Sequence, residues 1–527
     1  MIQQATDMIS GIKKILLEKR TKVTFISGIL FGIAAHGTAI FNKLSYHDDA
    51  AALFGLGLTL KSGRWMLDLL GRIQLYTLFG GISLYSTNTF NALVSILFIA
   101  AAACIAVEFF DIKNLLLCSV LSAYMVCFPV VTGLFAFMFT APDYMLGLLM
   151  MTAGVYLVCT RKTIPLFIAG IILQACAIGV YQAWIPLGLG LYVCWFFKEI
   201  YDKENSDEKA KDRWKWFFGK SLKYVLAVIL SLALYYVILH ILLFVMHETL
   251  VKTAGLNEMG VMSIGAFFDR LRKAYFAFVF PEKTIANSLY TFNLKHFYKL
   301  MVLIMLVMIA ILLSTLIKKD RIKTIQLLIP LLVLPLAGNF IFIMTEFEYI
   351  HSNLYYGQVT IFIFAVLTVQ MAMDLNRKSL KLCETAAAVF FLLFCISFAK
   401  FDNVCYMKTT FAQSQAISYY TTLVTRIQST EGYTDSAYVS FIHPGADFND
   451  SIYIFPEFEP VTLLSYGNVK EYISDYSWQT FMRNWTGFNA AFKDPGEFES
   501  MPEVQEMPSY PDSGSIKLIG DTIVVKF

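Results

Sequence analysis

The chain has 527 residues, of which 57% are hydrophobic and only 15% charged, with a formal net charge of +3 and a mean hydropathy of +0.60. Soluble domains carry about a quarter charged residues, so these values exclude a soluble enzyme and place most of the chain in a membrane. The net charge is small and no RNA- or DNA-binding motif stands out, which excludes nucleic acid as a partner.

The first twenty residues are polar and charged, and no small-residue cleavage site follows, so the apolar run after Arg20 reads as a retained span rather than a cleaved signal peptide. Apolar runs of roughly 17 to 25 residues mark membrane helices. They predict eleven spans near 22–41, 88–108, 114–131, 134–159, 164–181, 183–200, 220–246, 299–317, 325–345, 356–374 and 384–400, with Thr132-Gly133 breaking the third from the fourth. Loops rich in Lys and Arg stay cytoplasmic. Lys13, Lys14, Lys19 and Arg20, then Lys113, Arg161 and Lys162, the Lys203–Lys220 stretch, Lys318, Lys319, Arg321 and Lys323, and Arg377, Lys378 and Lys381 fall in alternate loops. The expected orientation has the N-terminus inside and the C-terminus outside, with Lys198–Lys220 as a solvated cytoplasmic connector.

Three pieces then fall on the outer side: the loop 42–87, the segment 247–298 with Asp269-Arg270-Leu271-Arg272-Lys273, and everything after Lys400. In that tail, Thr409–Ser429 has apolar residues at helical spacing, Ala437–Ile442 reads as a strand, and Ser515–Phe527 reads as two strands joined at Gly520-Asp521. The fold class expected is a polytopic α-helical membrane protein of about eleven transmembrane helices with a small extracytoplasmic α+β C-terminal domain. The domains would be residues 1–400, including the outer loop 42–87, and residues 401–527. Eight of the nine cysteines (Cys104, Cys118, Cys127, Cys159, Cys176, Cys194, Cys383 and Cys395) lie in apolar runs, and Cys405 has no partner beyond its span. No CxxC or Cys/His spacing occurs, so neither disulfides nor structural zinc are expected.

The first outer loop concentrates the chemistry. Tyr46-His47-Asp48-Asp49 follows the first span closely, and Gly63-Arg64-Trp65-Met66 and Gly71-Arg72 come next. Ionisable groups beside a membrane bundle are costly unless paired, wetted or functional. Adjacent carboxylates repel, and partial burial raises the pKa of one of them, which suits a general base acting on an acceptor hydroxyl. Arg64 and Arg72, with Lys61 and His47 nearby, suit a phosphate or pyrophosphate leaving group. Ala50–Leu70, apolar with interspersed charge, predicts a helix lying in the interface. Together these residues fit a lipid-phosphate substrate. They also fit a helix cap or solvated face for the carboxylates and headgroup contacts for the arginines, and the residues alone leave both readings open. Arg270, Arg272 and Lys273 are nominated as substrate contacts on charge and location. His36 reads as a packing residue, Asp143 as a candidate for the outer cavity, and Glu346, Glu348, His351 and Asn353 before Tyr355-Tyr356 as a solvated loop with sugar contact as the alternative. No ligand set stands at metal spacing; a divalent cation held weakly by the Asp pair is left open.

An apolar first span, a polar residue, Asp-Asp, about a dozen residues and Gly-Arg resembles the bacterial Gtr-type (type II) glucosyltransferases, membrane-embedded enzymes of the GT-C class. The residues that carry it are Tyr46-His47-Asp48-Asp49, Ser62-Gly63-Arg64-Trp65 and Val180-Tyr181-Gln182-Ala183. The likeness spans the whole length through few short motifs, and His47 answers to no family requirement. It implies a GT-C-like fold and transfer of a sugar, glucose on the family's pattern, from a polyprenyl-phosphate donor to a cell-envelope glycan on the outer face, as in O-antigen modification. It points to Asp49 as base with Asp48 orienting it or the acceptor, to Arg64 as a donor-phosphate contact, and to Tyr181 and Gln182 as substrate-binding. The implied partners are the donor, the glycan acceptor, membrane lipids, and a polyprenyl-phosphate sugar synthase and flippase of the same pathway. The implied location is the bacterial cytoplasmic (inner) membrane, multi-pass. A transporter or flippase of lipid-linked oligosaccharide would place charges or helix breakers at mid-bilayer in repeated halves, and here such charges are sparse and no repeat shows. A polymerase or ligase differs mainly in substrate.

Overall fold

The computed structural model describes residues 18–45, 48–55, 59–161, 163–204, 208–251, 262–345, 350–445, 455–463, 467–474 and 476–527. Its long helices are α1 (Lys19–Phe41), α2 (Trp65–Leu78), α3 (Asn88–Phe110), α4 (Leu115–Cys127), α5 (Ala141–Thr160), α6 (Ile164–Val180), α7 (Trp184–Asp202), α8 (Ala210–Val245), α9 (Ile264–Val279), α10 (Leu294–Leu316), α11 (Arg321–Gly338), α12 (Val359–Asp374) and α13 (Lys381–Gln428). The chain divides into two compact units, Met1–Phe41 with Leu56–Asn403, and Asn42–Gly55 with Val404–Phe527.

The first unit is a helical bundle. Among the described residues nine helical segments are long and apolar enough to cross a membrane: α1, α3, Leu115–Phe137, α5, α8, α10, α11, Ser352–Asp374 and α13. Two of the eleven expected spans fall outside this set. α6 is apolar but has 17 residues, and α7 ends in the charged run Lys198 to Asp202. The protein is a polytopic helical membrane protein. α12 runs through the bundle with every residue from Val359 to Ala372 buried, as befits a helix apolar on all sides. α5 and α6 approach closely because small residues face each other: a Cβ on Gly154 would stand 2.8 Å from the Gly170 carbonyl oxygen, and one on Gly170 2.8 Å from that of Gly154.

Three boundaries differ from the sequence expectation. Thr132-Gly133 does not break the chain but lies inside a short helix, Val130–Leu134. The helix is interrupted earlier, at Phe128 (φ −63°, ψ 124°), because the following Pro129 disfavours a helical residue before it, and the third and fourth segments part later, at the turn between Phe137 and Ala141. The Lys198–Lys220 connector is largely helical, with α7 running to Asp202 and α8 starting at Ala210. α8 has 36 residues, about 54 Å at 1.5 Å per residue, so its charged first turns outrun a hydrocarbon core of about 30 Å. Arg213 in those turns pairs with Asp320 at 2.5 Å, and Asp320 caps α11 by accepting the Lys323 amide at 2.9 Å. Burial pushes the Asp320 carboxyl up, but the Arg213 and Lys323 hydrogen bonds outweigh it and hold the pKa below the usual carboxylate value. The third difference is α13, 48 residues long, where a span over 384–400 and a separate helix after 409 were expected. No Gly or Pro interrupts Lys381–Gln428, so nothing ends the helix.

The second unit carries a small sheet of β1 (Tyr438–Ile442), β2 (Ile516–Ile519) and β3 (Thr522–Lys526) in the order β1-β3-β2. β2 and β3 are antiparallel across the Gly520-Asp521 turn the sequence predicts, and β1 lies parallel to β3 with Val439 opposite Ile523. Ile442, Val524, Phe498, Val504 and Met507 form its core. All nine cysteines are free thiols, and Cys383 alone among them is exposed.

Candidate active site

The predicted interfacial helix over Ala50–Leu70 is not one element. Asp48–Ala51 is a single helical turn, Leu60–Ser62 a 3₁₀ turn, and α2 begins only at Trp65. Gly63 makes the corner. It sits at φ +73°, a left-handed conformation that glycine adopts without penalty, and its amide closes on the Leu60 carbonyl at 2.9 Å. The corner is held from outside: the Gln182 side-chain amide donates to the Ser62 carbonyl at 3.0 Å and to the Tyr235 hydroxyl at 3.2 Å, and Tyr235 donates to the Gly63 carbonyl at 3.0 Å. A Cβ on Gly63 would stand 2.7 Å from Gln182 Nε2.

This corner aims the next two side chains. Trp65 turns inward against Gly179, where a Cβ would stand 2.5 Å from the indole, and packs with Leu60, Leu239 and Leu243. Arg64 is laid on an aromatic floor. Its guanidinium lies 5.0 Å from the Tyr181 ring centre and 5.9 Å from that of Tyr144, and its Nη1 donates to the Tyr144 hydroxyl at 3.1 Å. Tyr144 and Tyr181 are themselves stacked at 4.8 Å. Cation–π contact and one hydrogen bond fix the plane of a fork that matches a phosphate's oxygens. The two short motifs singled out in sequence, Ser62-Gly63-Arg64-Trp65 and Tyr181-Gln182, are therefore one structural object. Close by in sequence, the amide of Gln74 donates to both oxygens of Asp143 at 3.0 and 3.2 Å, holding a buried carboxyl next to Tyr144 on α5.

Other nominated cations are tied up differently. Arg72 donates to Asp68 at 2.6 Å, which raises its pKa, and Thr59 donates to the other Asp68 oxygen at 3.0 Å. Lys61 pairs with Glu248 at 2.8 Å. On α9, Arg272 and Lys273 both pair with Asp269, at 2.9 and 2.8 Å, and these bonds lower the Asp269 pKa, while Arg270 is buried. His36 faces the Val126 carbonyl at 2.8 Å and packs on Phe135, the packing role expected. Tyr355 and Tyr356 are buried, and Tyr356 donates to the Met125 carbonyl at 2.6 Å, so they form no sugar platform. Glu346 and Glu348 lie outside the described residues, as does His47.

The carboxylate pair lies in the second unit, and its two members face different surroundings. Asp49 is fully buried; Oδ2 accepts from Ser45 Oγ at 2.5 Å and from Lys43 Nζ at 3.0 Å. Burial lowers the Lys43 pKa, and Asp49 restores it only in part. Gln413 on α13 grips the loop with both ends of its amide, accepting from the Ser45 amide at 3.1 Å and donating to the Lys43 carbonyl at 2.8 Å. Asp48 is only partly buried, and Oδ1 accepts from the hydroxyl of Tyr476, itself 63% exposed, at 2.5 Å. The two adjacent carboxylates thus differ in setting, Asp49 buried against Ser45 and Lys43 and Asp48 partly open beside Tyr476. Among the described residues, no three His, Cys, Asp or Glu side chains stand together as a metal would require.

Sequence reasoning missed Tyr144, Tyr235, Gln74, Gln413 and Tyr476. Each meets its partner across 53 to 428 residues of chain, and none carries a local motif. Compared with curated proteins and with solved structures, the chain matches none. One family's sequence model, described as Glucosyl transferase GtrII, matches residues 37–366, a stretch that holds every nominated site residue. The match covers more than half of the chain, which therefore belongs to the GtrII glucosyl transferase family and is a membrane glycosyltransferase.

Proposed function

We propose that the protein transfers a glucosyl group from a polyprenyl-phosphate donor to a cell-envelope glycan on the outer face of the bacterial cytoplasmic membrane. The observation that carries this reading is the Gly63 corner, which stations Arg64 on Tyr144 and Tyr181 under the clamp of Gln182 and Tyr235. Such a fork takes the donor phosphate by charge-assisted hydrogen bonds that strengthen as charge grows on the leaving group. The acceptor hydroxyl oxygen attacks the anomeric carbon as the carbon–oxygen bond to phosphate breaks. Its proton passes to a carboxylate, the configuration inverts, and polyprenyl phosphate departs with the bonding electron pair. Between the two candidates, burial favours Asp48 as the proton acceptor, with Asp49 holding the loop through Ser45 and Lys43, the reverse of the order expected from sequence. The Lys/Arg bias of alternate loops supports an N-terminus in the cytoplasm and a C-terminus outside.

The test is glycan modification in membranes supplied with polyprenyl-phosphate glucose. Arg64→Lys keeps the charge but loses the fork and the stacking; we expect kcat/KM to fall on the order of 100-fold, from about 1.5–3 kcal/mol per charged hydrogen bond. Asp48→Asn should abolish turnover while the protein inserts and melts normally. Full activity of both variants would overturn the assignment.

A further inference from the structure

At one end of α6 and α8, which pack against each other, lies a cavity of about 660 Å³ whose lining includes Arg161, Lys220, Lys223, Glu199, Phe167 and Trp195. Three cations face one carboxylate there, and that carboxylate is already engaged: Lys220 donates to one Glu199 oxygen and Tyr224 to the other, the latter at 2.6 Å. Lys223 donates to the Val158 carbonyl at 2.6 Å and Arg161 to the Tyr156 hydroxyl at 3.2 Å. An ammonium has three donors and a guanidinium five, so the partners found among the described residues leave most of this capacity for a ligand. The surplus is positive, and the ligand it suits is an anion.

The walls say what kind of anion. α6 has 17 residues, about 26 Å, shorter than a hydrocarbon core, whereas α8 beside it runs well past one. The cavity forms a notch beside the first turn of α6, which begins at Ile164. Outward from the notch α6 exposes Ile164, Ile168 and Ile172, and α8 exposes Leu222, Leu226 and Ile229, two apolar strips on packed helices with Ile164 75% exposed. A ligand with an anionic head and long apolar chains satisfies both the charged notch and the strips. Inorganic phosphate satisfies only the notch.

We propose that this cavity binds the phosphate headgroup of an anionic membrane phospholipid through Arg161, Lys220 and Lys223, with its acyl chains along the α6 and α8 strips. The site lies apart from Arg64 and its tyrosine floor in sequence and lining, and binding there does not depend on the transferase reading. In the orientation proposed above it faces the cytoplasmic leaflet, where anionic lipids gather.

The test uses the full chain in phosphatidylcholine nanodiscs titrated with phosphatidylglycerol, counting the lipid that stays bound after exchange into detergent. Phosphatidylglycerol should be retained in preference to phosphatidylcholine. Arg161→Gln and Lys223→Gln should each weaken retention roughly fivefold, and both together roughly 25-fold, the effect of about one surface cation each. Arg161 is exposed, so Arg161→Gln alone serves if the double variant fails to fold. Equal retention of the two lipids, or unchanged retention in the variants, overturns the proposal. Inorganic phosphate at millimolar concentration should not displace the lipid; if it occupies the site in place of lipid, the lipid assignment falls.

Discussion

Replacing Gly63 by Ala tests whether the corner before α2 is what stations Arg64. Left-handed backbone costs an alanine about 1 kcal/mol relative to glycine. The new methyl would stand 2.7 Å from Gln182 Nε2 and 2.9 Å from Tyr235 Oη, so both side chains must withdraw. Their hydrogen bonds to the Ser62 and Gly63 carbonyls go with them, at about 1 kcal/mol each. The total, about 3 kcal/mol, falls on the conformer that places Arg64 over Tyr181, and corresponds to a loss on the order of 100-fold in kcat/KM. Gln182→Ala removes the first obstacle and the first hydrogen bond beforehand. In that background Gly63→Ala should cost about 2 kcal/mol, on the order of 30-fold, so a double-mutant cycle should show coupling of about 1 kcal/mol. The assay is glucosyl transfer in membranes, with thermal unfolding alongside to show that the bundle is intact. Activity of Gly63→Ala within twofold of the parent, or strict additivity with Gln182→Ala, would refute the reasoning.

Asp49→Asn keeps an acceptor for Ser45 but removes the negative charge opposite Lys43, and should lower stability by about 1–2 kcal/mol, discounted because Lys43 is a third exposed. Thermal unfolding in detergent measures this, and adding Lys43→Gln should restore part of the loss; a melting point equal to the parent's would remove the loop-holding role. At Asp320 the native pKa lies below its ordinary 3.8, so the carboxylate adds stability at neutral pH that fades as pH drops through the native pKa. Asp320→Asn should therefore melt below the parent at pH 7, with the gap narrowing below about pH 3.8. A gap of constant size would show that the ion pair with Arg213 contributes nothing.

Much of the architecture was legible because membrane burial writes itself into long apolar runs, and because the Gly520-Asp521 turn between two β-branched runs is a local signal. The Gly63-Arg64 and Tyr181-Gln182 motifs were also visible, but not that they clamp each other, since that depends on how α6, α7 and α8 pack. Helix limits failed where local and global signals part. α13 and α8 read as a span plus something else because hydropathy falls where the helix leaves apolar surroundings, while backbone propensity carries it on. The different settings of Asp48 and Asp49 were invisible for another reason: Gln413 and Tyr476, which help set them, are 368 and 428 residues away in the chain.

The distribution of thiols has a practical corollary. Eight cysteines are wholly or partly shielded, and Cys383 stands open at the start of α13, beside Lys381. The native sequence thus supplies its own reporter of sidedness. A maleimide unable to cross a bilayer meets one ready target, and whether sealed vesicles protect that target tells which compartment holds the beginning of α13, with no engineered residue required.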